Sequence, residues 1–246
     1  VSRRSEILKE MGLAPVWVLR ERARASARES RAMAAPPVAD APAAQAGAVA
    51  APSRAERIAR MGWDELKAKV KDCTDCGLRA GCTQTVFGVG DENARWLLVG
   101  EAPGAEEDRI GEPFVGQAGK LLDNMLAAIG LKRGDDVYIA NVVKCRPPGN
   151  RNPAPEEVAA CSPYLLRQVA LIRPKLIVAM GRFAVQTLLG TDASIASLRG
   201  RLFHYAGVPL IVTYHPAYLL RNLPDKAKAW ADLVFAKRTM ASATGR

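Results

Sequence analysis

Residues 95–104 read RWLLVGEAPG, and this stretch decides the fold. WLLVG is a continuous apolar run, which suits a strand buried on both faces. In Gly100-Glu101-Ala102-Pro103-Gly104 two glycines flank a proline. Such a loop turns tightly and lets backbone N–H groups approach a ligand. Three further runs share the strand character: VYIANVV at 137–143, KLIVAMG at 175–181 and PLIVTYH at 209–215. Between them lie helical patterns, AGKLLDNMLAAIG at 118–130, PEEVAACSPYLLRQVALI at 155–172 and FAVQTLLG at 183–190. A last helical pattern, PDKAKAWADLVFAKRTM, closes the domain. Strand alternating with helix predicts a parallel sheet covered on both faces. The expected fold is therefore α/β, a three-layer α/β/α sandwich around a central four-stranded, mainly parallel sheet. Ligands bind such sheets outside the carboxyl ends of the strands. That rule brings the GEAPG loop, Asn141 and His215 to one end.

Upstream, a helix is expected to start near Ser53 and run through RAERIARMGWDELKAKV. Residues 34–52, AAPPVADAPAAQAGAVAAP, have no large apolar side chains to bury and read as a disordered linker. The expected organisation is a basic segment at 1–33, a linker at 34–53, a domain at 54–240 and a tail at 241–246. The chain of 246 residues carries 35 Lys+Arg against 25 Asp+Glu, a formal net charge of +10. A balance this basic favours a polyanionic partner such as DNA or RNA. Hydrophobic residues make up 49% of the chain, enough for a real core. No apolar run approaches the roughly 18–20 residues of a membrane span, and no secretory signal is expected. Five cysteines without such a signal point to a reducing cytoplasm, where clustered cysteines are more often metal ligands than disulfides.

Cys73-x2-Cys76, then Cys145, then Cys161 form the first chemical pattern. Four-fold sulfur ligation suits zinc or an iron–sulfur cluster, and spacing alone does not separate the two. Cys82 is a fifth candidate. A second pattern is Phe114 in the Gly/Pro/polar stretch AEEDRIGEPFVGQAG, where an aromatic ring either packs under the loop or offers a face to a planar ligand. A third is HPAYLLRN at 215–222, where His215 ends a strand and Pro216 sets the backbone as it leaves the sheet. His204, in RLFHYAGVP, is expected on a hairpin-like or edge segment with a structural role.

Taken together, these patterns resemble the family 4 uracil-DNA glycosylases. The resemblance covers roughly residues 66–238 and rests on several motifs in order. They are GEAPG, ED-R-x-G-x-PFVG-x-AG, N-x-V-K-C-R-P-P with its later cysteine, and HPAYLLRN. It implies removal of uracil from single- or double-stranded DNA by hydrolysis of the N-glycosidic bond. It also implies one structural 4Fe–4S cluster on Cys73, Cys76, Cys145 and Cys161, with Cys82 left out. His215 would donate to the uracil O2, and Glu101 would place the attacking water. Related families often have aspartate where this chain has Ala102. Phe114 would stack on the flipped base and Asn141 would read its O4 and N3–H. Glu107 would crowd the C5 edge, and Gly100, Glu101 and Ala102 would shape the base pocket. Leu219 would wedge into the vacated space. Arg146, Arg151, Lys144 and Arg221 are the candidate phosphate contacts. The protein is expected to be a monomer, associated with the nucleoid through DNA. A partner for residues 1–60 is open. Competing classes are a non-catalytic cysteine-cluster nucleic-acid-binding module and a nucleotide-binding α/β enzyme. The loop lacks the lysine and spacing of either phosphate fingerprint.

Overall fold

Strand β2 (Trp96–Gly100) is buried along its whole length, as are β3 (Val137–Asn141) and β4 (Leu176–Met180). In the computed structural model, which describes residues 51–243, these strands sit inside a six-stranded sheet. The other strands are β1 (Val89–Gly90), β5 (Leu202–Tyr205) and β6 (Val208–Thr213), and the order is β1-β3-β2-β4-β6-β5. The expectation of four strands is corrected to six. The four foreseen strands are the parallel centre, and antiparallel β1 and β5 cap its two edges. β1 was missed because two residues, one of them glycine, carry no apolar period to read. β5 has one face open to solvent and belongs to the edge segment expected around His204.

The alternation of side chains along each strand divides the core into two layers. Leu97, Val99, Ile177, Ala179, Leu210 and Val212 face one side. There they meet α1 (Arg54–Arg60), α2 (Trp63–Lys71), α5 (Pro155–Ile172), α6 (Arg182–Leu189) and α7 (Ile195–Leu198). Trp96, Leu98, Ile139, Val178 and Ile211 face the other side. They meet α4 (Gln117–Ala128) and α9 (Asp225–Ala243). The three-layer α/β/α reading holds. Short helices α3 (Ala105–Ile110) and α8 (Pro216–Arg221) follow β2 and β6 at the carboxyl end of the sheet.

The single helix expected from Ser53 is two helices. Ser53 and Glu56 form a reciprocal capping box on α1, and Gly62 then caps α2 in extended backbone. A glycine at that point gives up helix propensity and lets the chain restart at a new angle. The expected 1–33 segment and most of the 34–53 linker lie outside the described residues. No helix among the described residues is long and apolar enough to cross a membrane.

From β2 the chain crosses to β3 on one side and then returns to β4 on the other. The strand order therefore reverses beside β2. An α/β sheet opens its ligand crevice at such a point, outside the carboxyl ends.

Candidate active site

Gly100 ends β2 and pairs with Asn141, the last residue of β3. A Cβ at Gly100 would come 2.5 Å from the Asn141 Oδ1 and 2.7 Å from Phe114 Cζ. The absence of a side chain is what lets the amide and the ring meet there. Asn141 is 2% exposed, and its Oδ1 is buried without a hydrogen-bond partner. A buried acceptor left unpaired costs roughly 1–3 kcal/mol, and such a cost persists in a native structure for a reason.

Phe114 is buried, with φ of 56°, a region that bulky residues rarely occupy. Arg133 holds it there by donating to the carbonyls of Pro113 at 2.9 Å and Phe114 at 2.8 Å. The Phe114 ring stacks on the His215 ring at 5.3 Å between centroids and 29° between planes. Strain of this kind clusters at functional sites.

His215 follows β6 and caps α8. Its Nδ1 accepts the Ala217 N–H at 3.1 Å. Nδ1 is therefore the unprotonated nitrogen, and Nε2 carries the hydrogen of the neutral ring. Burial, with the Arg221 charge adding to it, pushes the His215 pKa down to about 4. The ring is a neutral donor at physiological pH. Gly181, with φ of +91°, lets β4 turn into α6 beside it, because a Cβ there would lie 2.8 Å from His215 Cβ.

Glu101 follows β2 and lines the same cleft as His215. Burial raises its carboxyl above the ordinary value, and the Arg182 charge pulls it partly back. Glu107 braces two loops at once. Its carboxylate accepts from the N–H groups of Gly104, Val115 and Gly116 at 3.0–3.1 Å. Asp108, buried one residue on, accepts from Thr83 N–H and Oγ1, both at 2.9 Å, and so pins the 83–84 loop to α3.

Glu101, Ala102, Glu107, Phe114, His215, Arg151 and Arg221 line one cleft of about 420 Å³. Asn141 does not line the open cleft itself. Sequence reading missed Asn150, Asn152 and Tyr218, which also line it. The asparagines sit in the loop that follows the recognised KCRPP run, and their place directly after that motif is the signal that could have flagged them. Arg182 beside Glu101 was missed as well; its signal was its place directly after the last residue of the KLIVAMG run.

Two expected roles need correction. Lys144 is 2% exposed and donates inward, to the Asn141 carbonyl at 2.9 Å and the Gln168 Oε1 at 2.6 Å. It cannot reach a phosphate, because its side chain points into the layer beneath the sheet end. Burial lowers its pKa to about 8. Leu219 is 1% exposed and packs into the groove between α4 and α9. The helical turn of α8 aims it inward, and the neighbouring Leu220, at 41%, faces out. Arg151 is bound by both guanidinium arms to Glu157, at 2.9 and 2.6 Å, and Arg146 donates to Asn150 Oδ1 at 2.7 Å.

A second interior cavity is lined by Cys73, Cys76, Cys145 and Cys161, with the charged Asp75, Arg79 and Lys144, and with Thr85, Tyr164 and apolar neighbours. All four cysteines are free thiols. Burial pushes the Cys161 thiol up to about 11, and burial with the nearby Cys82, Cys161 and Cys76 thiols pushes Cys145 higher still. Among the described residues no three His, Cys, Asp or Glu side chains are grouped to hold a single metal ion. Cys82 is buried at the edge of this group, with Arg79 approaching its sulfur.

Sheet and cleft together define an α/β protein with an open cleft at the carboxyl ends of its strands. The chain belongs to the uracil DNA glycosylase superfamily, whose sequence model matches residues 87–234. Within it the chain is a member of the type-4 family. It is 48% identical over 165 residues to the type-4 uracil-DNA glycosylase of Archaeoglobus fulgidus, covering 64% of this chain and 82% of the relative. The Thermotoga maritima type-4 uracil-DNA glycosylase is 49% identical, covering 66% and 85%. That of Pyrobaculum aerophilum is 44% identical, covering 70% and 92%.

Proposed function

We propose that the protein hydrolyses the N-glycosidic bond of deoxyuridine in DNA, releasing uracil and leaving an abasic site for repair. The observation that carries this reading is the unpaired Oδ1 of Asn141. A buried acceptor at a strand end calls for an N–H donor. Uracil offers N3–H to Oδ1, and its O4 accepts from the same amide. Cytosine has an acceptor at N3, so the pair would clash. A site built on such bonds rejects the wrong base strongly, because buried polar groups are left unpaired. The direct test is incubation with a uracil-containing oligonucleotide followed by alkali. Cleavage at uracil is expected, and an intact strand overturns the reading.

The base must leave the duplex to reach the pocket. Phe114 supplies the stacking face. Glu107, held by three backbone donors, stands rigidly at the C5 edge and excludes a methyl group there. Leu220, rather than Leu219, has the exposure to enter the space left behind. Arg221 offers a phosphate contact at the cleft rim, with Arg146 and Arg151 behind it through groups already paired within the chain. As the bond breaks, the uracil becomes an anion and the sugar a cation. The neutral His215 donates Nε2–H to the developing charge on O2, as an oxyanion hole does. Gly100, Ala102 and the GEAPG backbone close the pocket around the base. Ala102 offers no carboxylate, so Glu101 holds the attacking water and, when ionised, favours the cationic sugar.

The ionisation of Glu101 sets a pH dependence. Its folded pKa is raised, so the carboxylate is lost as pH falls through that raised value, above the ordinary 4.5. His215, at about 4, stays neutral over the same range and adds no limb. Single-turnover excision is therefore expected to fall on the acid side through Glu101 alone. Glu101→Gln should be slow and flat with pH, with DNA binding retained; a Gln variant that keeps the acid limb would remove Glu101 from this role.

The four cysteines line one cavity, and four-fold sulfur ligation there suits zinc or an iron–sulfur cluster. The resemblance to the family 4 glycosylases is what favours the 4Fe–4S cluster. When bound, the group supplies a cross-link and no electron to the hydrolysis. Cys73 and Cys76 would anchor the chain after α2, Cys145 the exit of β3, and Cys161 the middle of α5. Cys145→Ala is expected to lose iron and solubility together, whereas Cys82→Ala keeps full iron content; iron assay and visible absorbance of the purified variants check both. A monomer working in the cytoplasm on DNA agrees with this chemistry.

A further inference from the structure

Lys144 is a buried cation without a carboxylate. Its Nζ donates to the Asn141 backbone carbonyl and to Gln168 Oε1, both neutral acceptors. No ion pair involving it occurs among the described residues. Gln168, itself fully buried, is held from its other end by donating Nε2 to the Phe87 carbonyl at 2.9 Å. A buried lysine in such neutral surroundings is costly unless an anion compensates it. Lys144 also lines the cavity of the four cysteines, and its backbone N–H donates to Cys161 Sγ at 3.3 Å. Four thiolates on a four-iron, four-sulfide core leave net negative charge in every common oxidation state. Among the described residues Lys144 and Arg79 thus bring two cations without a carboxylate partner to this cavity, and its one carboxylate, Asp75, is already paired with Arg54.

We propose that Lys144 is a buried counter-charge of the cysteine-bound cluster and a positioning residue for the base-reading end of β3. The inference rests on the cluster reading above. One residue touches both sites. Its ammonium balances the thiolate cage from inside the protein, and two of its donors fix the Asn141 carbonyl and Gln168. Cluster binding then favours the inward-pointing lysine, whose hydrogen bond to the Asn141 carbonyl holds that residue in place beneath the cleft. This is how a group with no part in bond cleavage would support base recognition.

The test uses purified holoprotein in the wild-type, Lys144→Met and Gln168→Glu forms. Three quantities are read: the cluster's reduction potential, the rate of iron loss to a chelator, and the affinity for free uracil. Lys144→Met removes the charge at similar length. It is expected to shift the potential to more negative values and to weaken iron retention by about 10–100-fold, the usual scale for a residue that supports metal ligands. Uracil affinity should fall with it. Gln168→Glu places a carboxylate at the 2.6 Å partner position and draws the ammonium's charge from the cluster while keeping the chain packed. The same direction of shift is expected, and this variant decides the matter if Lys144→Met does not fold. An unchanged potential and chelator rate in an iron-loaded variant overturns the proposal alone. A wild-type protein without iron overturns the cluster reading beneath it.

Discussion

Replacing His215 by alanine is expected to slow single-turnover uracil release by about 10²–10³-fold, the loss typical of one oxyanion donor, while DNA binding changes little. The reason is that the charge His215 meets exists only as the glycosidic bond breaks. An interaction absent from the ground state raises the rate without tightening binding. Two features prepare the ring for this. The Ala217 N–H occupies Nδ1 and leaves the hydrogen on Nε2, and burial keeps the ring neutral down to about pH 4. The same burial has a stability consequence. The folded pKa lies below the ordinary 6.5, so above pH 6.5 the histidine adds no pH dependence. As pH falls from 6.5 toward 4 the unfolded chain takes up a proton that the folded one refuses. That costs roughly 3 kcal/mol of stability by the lower end of the range. His215→Ala should therefore be slower at every pH yet less sensitive to mild acid in thermal melts. A wild-type rate in this variant would remove the mechanism.

Gly100→Ala should disable the pocket without removing a single functional group. The added methyl would meet Asn141 Oδ1 at 2.5 Å and Phe114 Cζ at 2.7 Å, closer than real Cβ contacts. Neither neighbour can yield freely. Asn141 is the last residue of a buried strand, and the Phe114 backbone is tied by Arg133 at positive φ. Displacing reacting groups by about 1 Å costs on the order of 10²-fold, so a rate loss of at least that size is expected. The fold should survive, because β2 ends at this residue. Circular dichroism and melting temperature near wild type, with uracil excision at least about a hundredfold slower, would establish the point. Near-normal excision would mean that Asn141 and Phe114 do not read the base together.

The parallel centre of the sheet was legible because it needs only local information. Runs such as WLLVG and LIVAM are apolar at every position, and a strand buried on both faces asks for nothing else. The loop that follows β2 was legible for a similar reason, since glycine and proline act on the backbone within a few residues. The place of Asn141 and His215 at the carboxyl ends of β3 and β6 was legible from the apolar runs that precede them. The edge strands were harder. β1 is two residues long, and its pairing with β3 depends on a partner nearly fifty residues away in the chain.

The sequence by itself determined the α/β class, the order of the strand-end motifs and the family they spell. It also named the four cysteines, but with zinc and cluster equal on spacing. Only the tertiary structure decided which neighbours each side chain meets. Leu219 and Leu220 are the same residue type one step apart, and the roughly 100° turn between consecutive helical residues buries the first against α4 and exposes the second. Lys144 and Arg146 both read as basic residues flanking Cys145. Folding turns the first into the interior between Asn141, Gln168 and the thiols, and leaves the second near the surface. Local patterns are set by backbone period and turn chemistry. Charge state, hydrogen-bond partner and reach are set by segments that meet only in the folded chain.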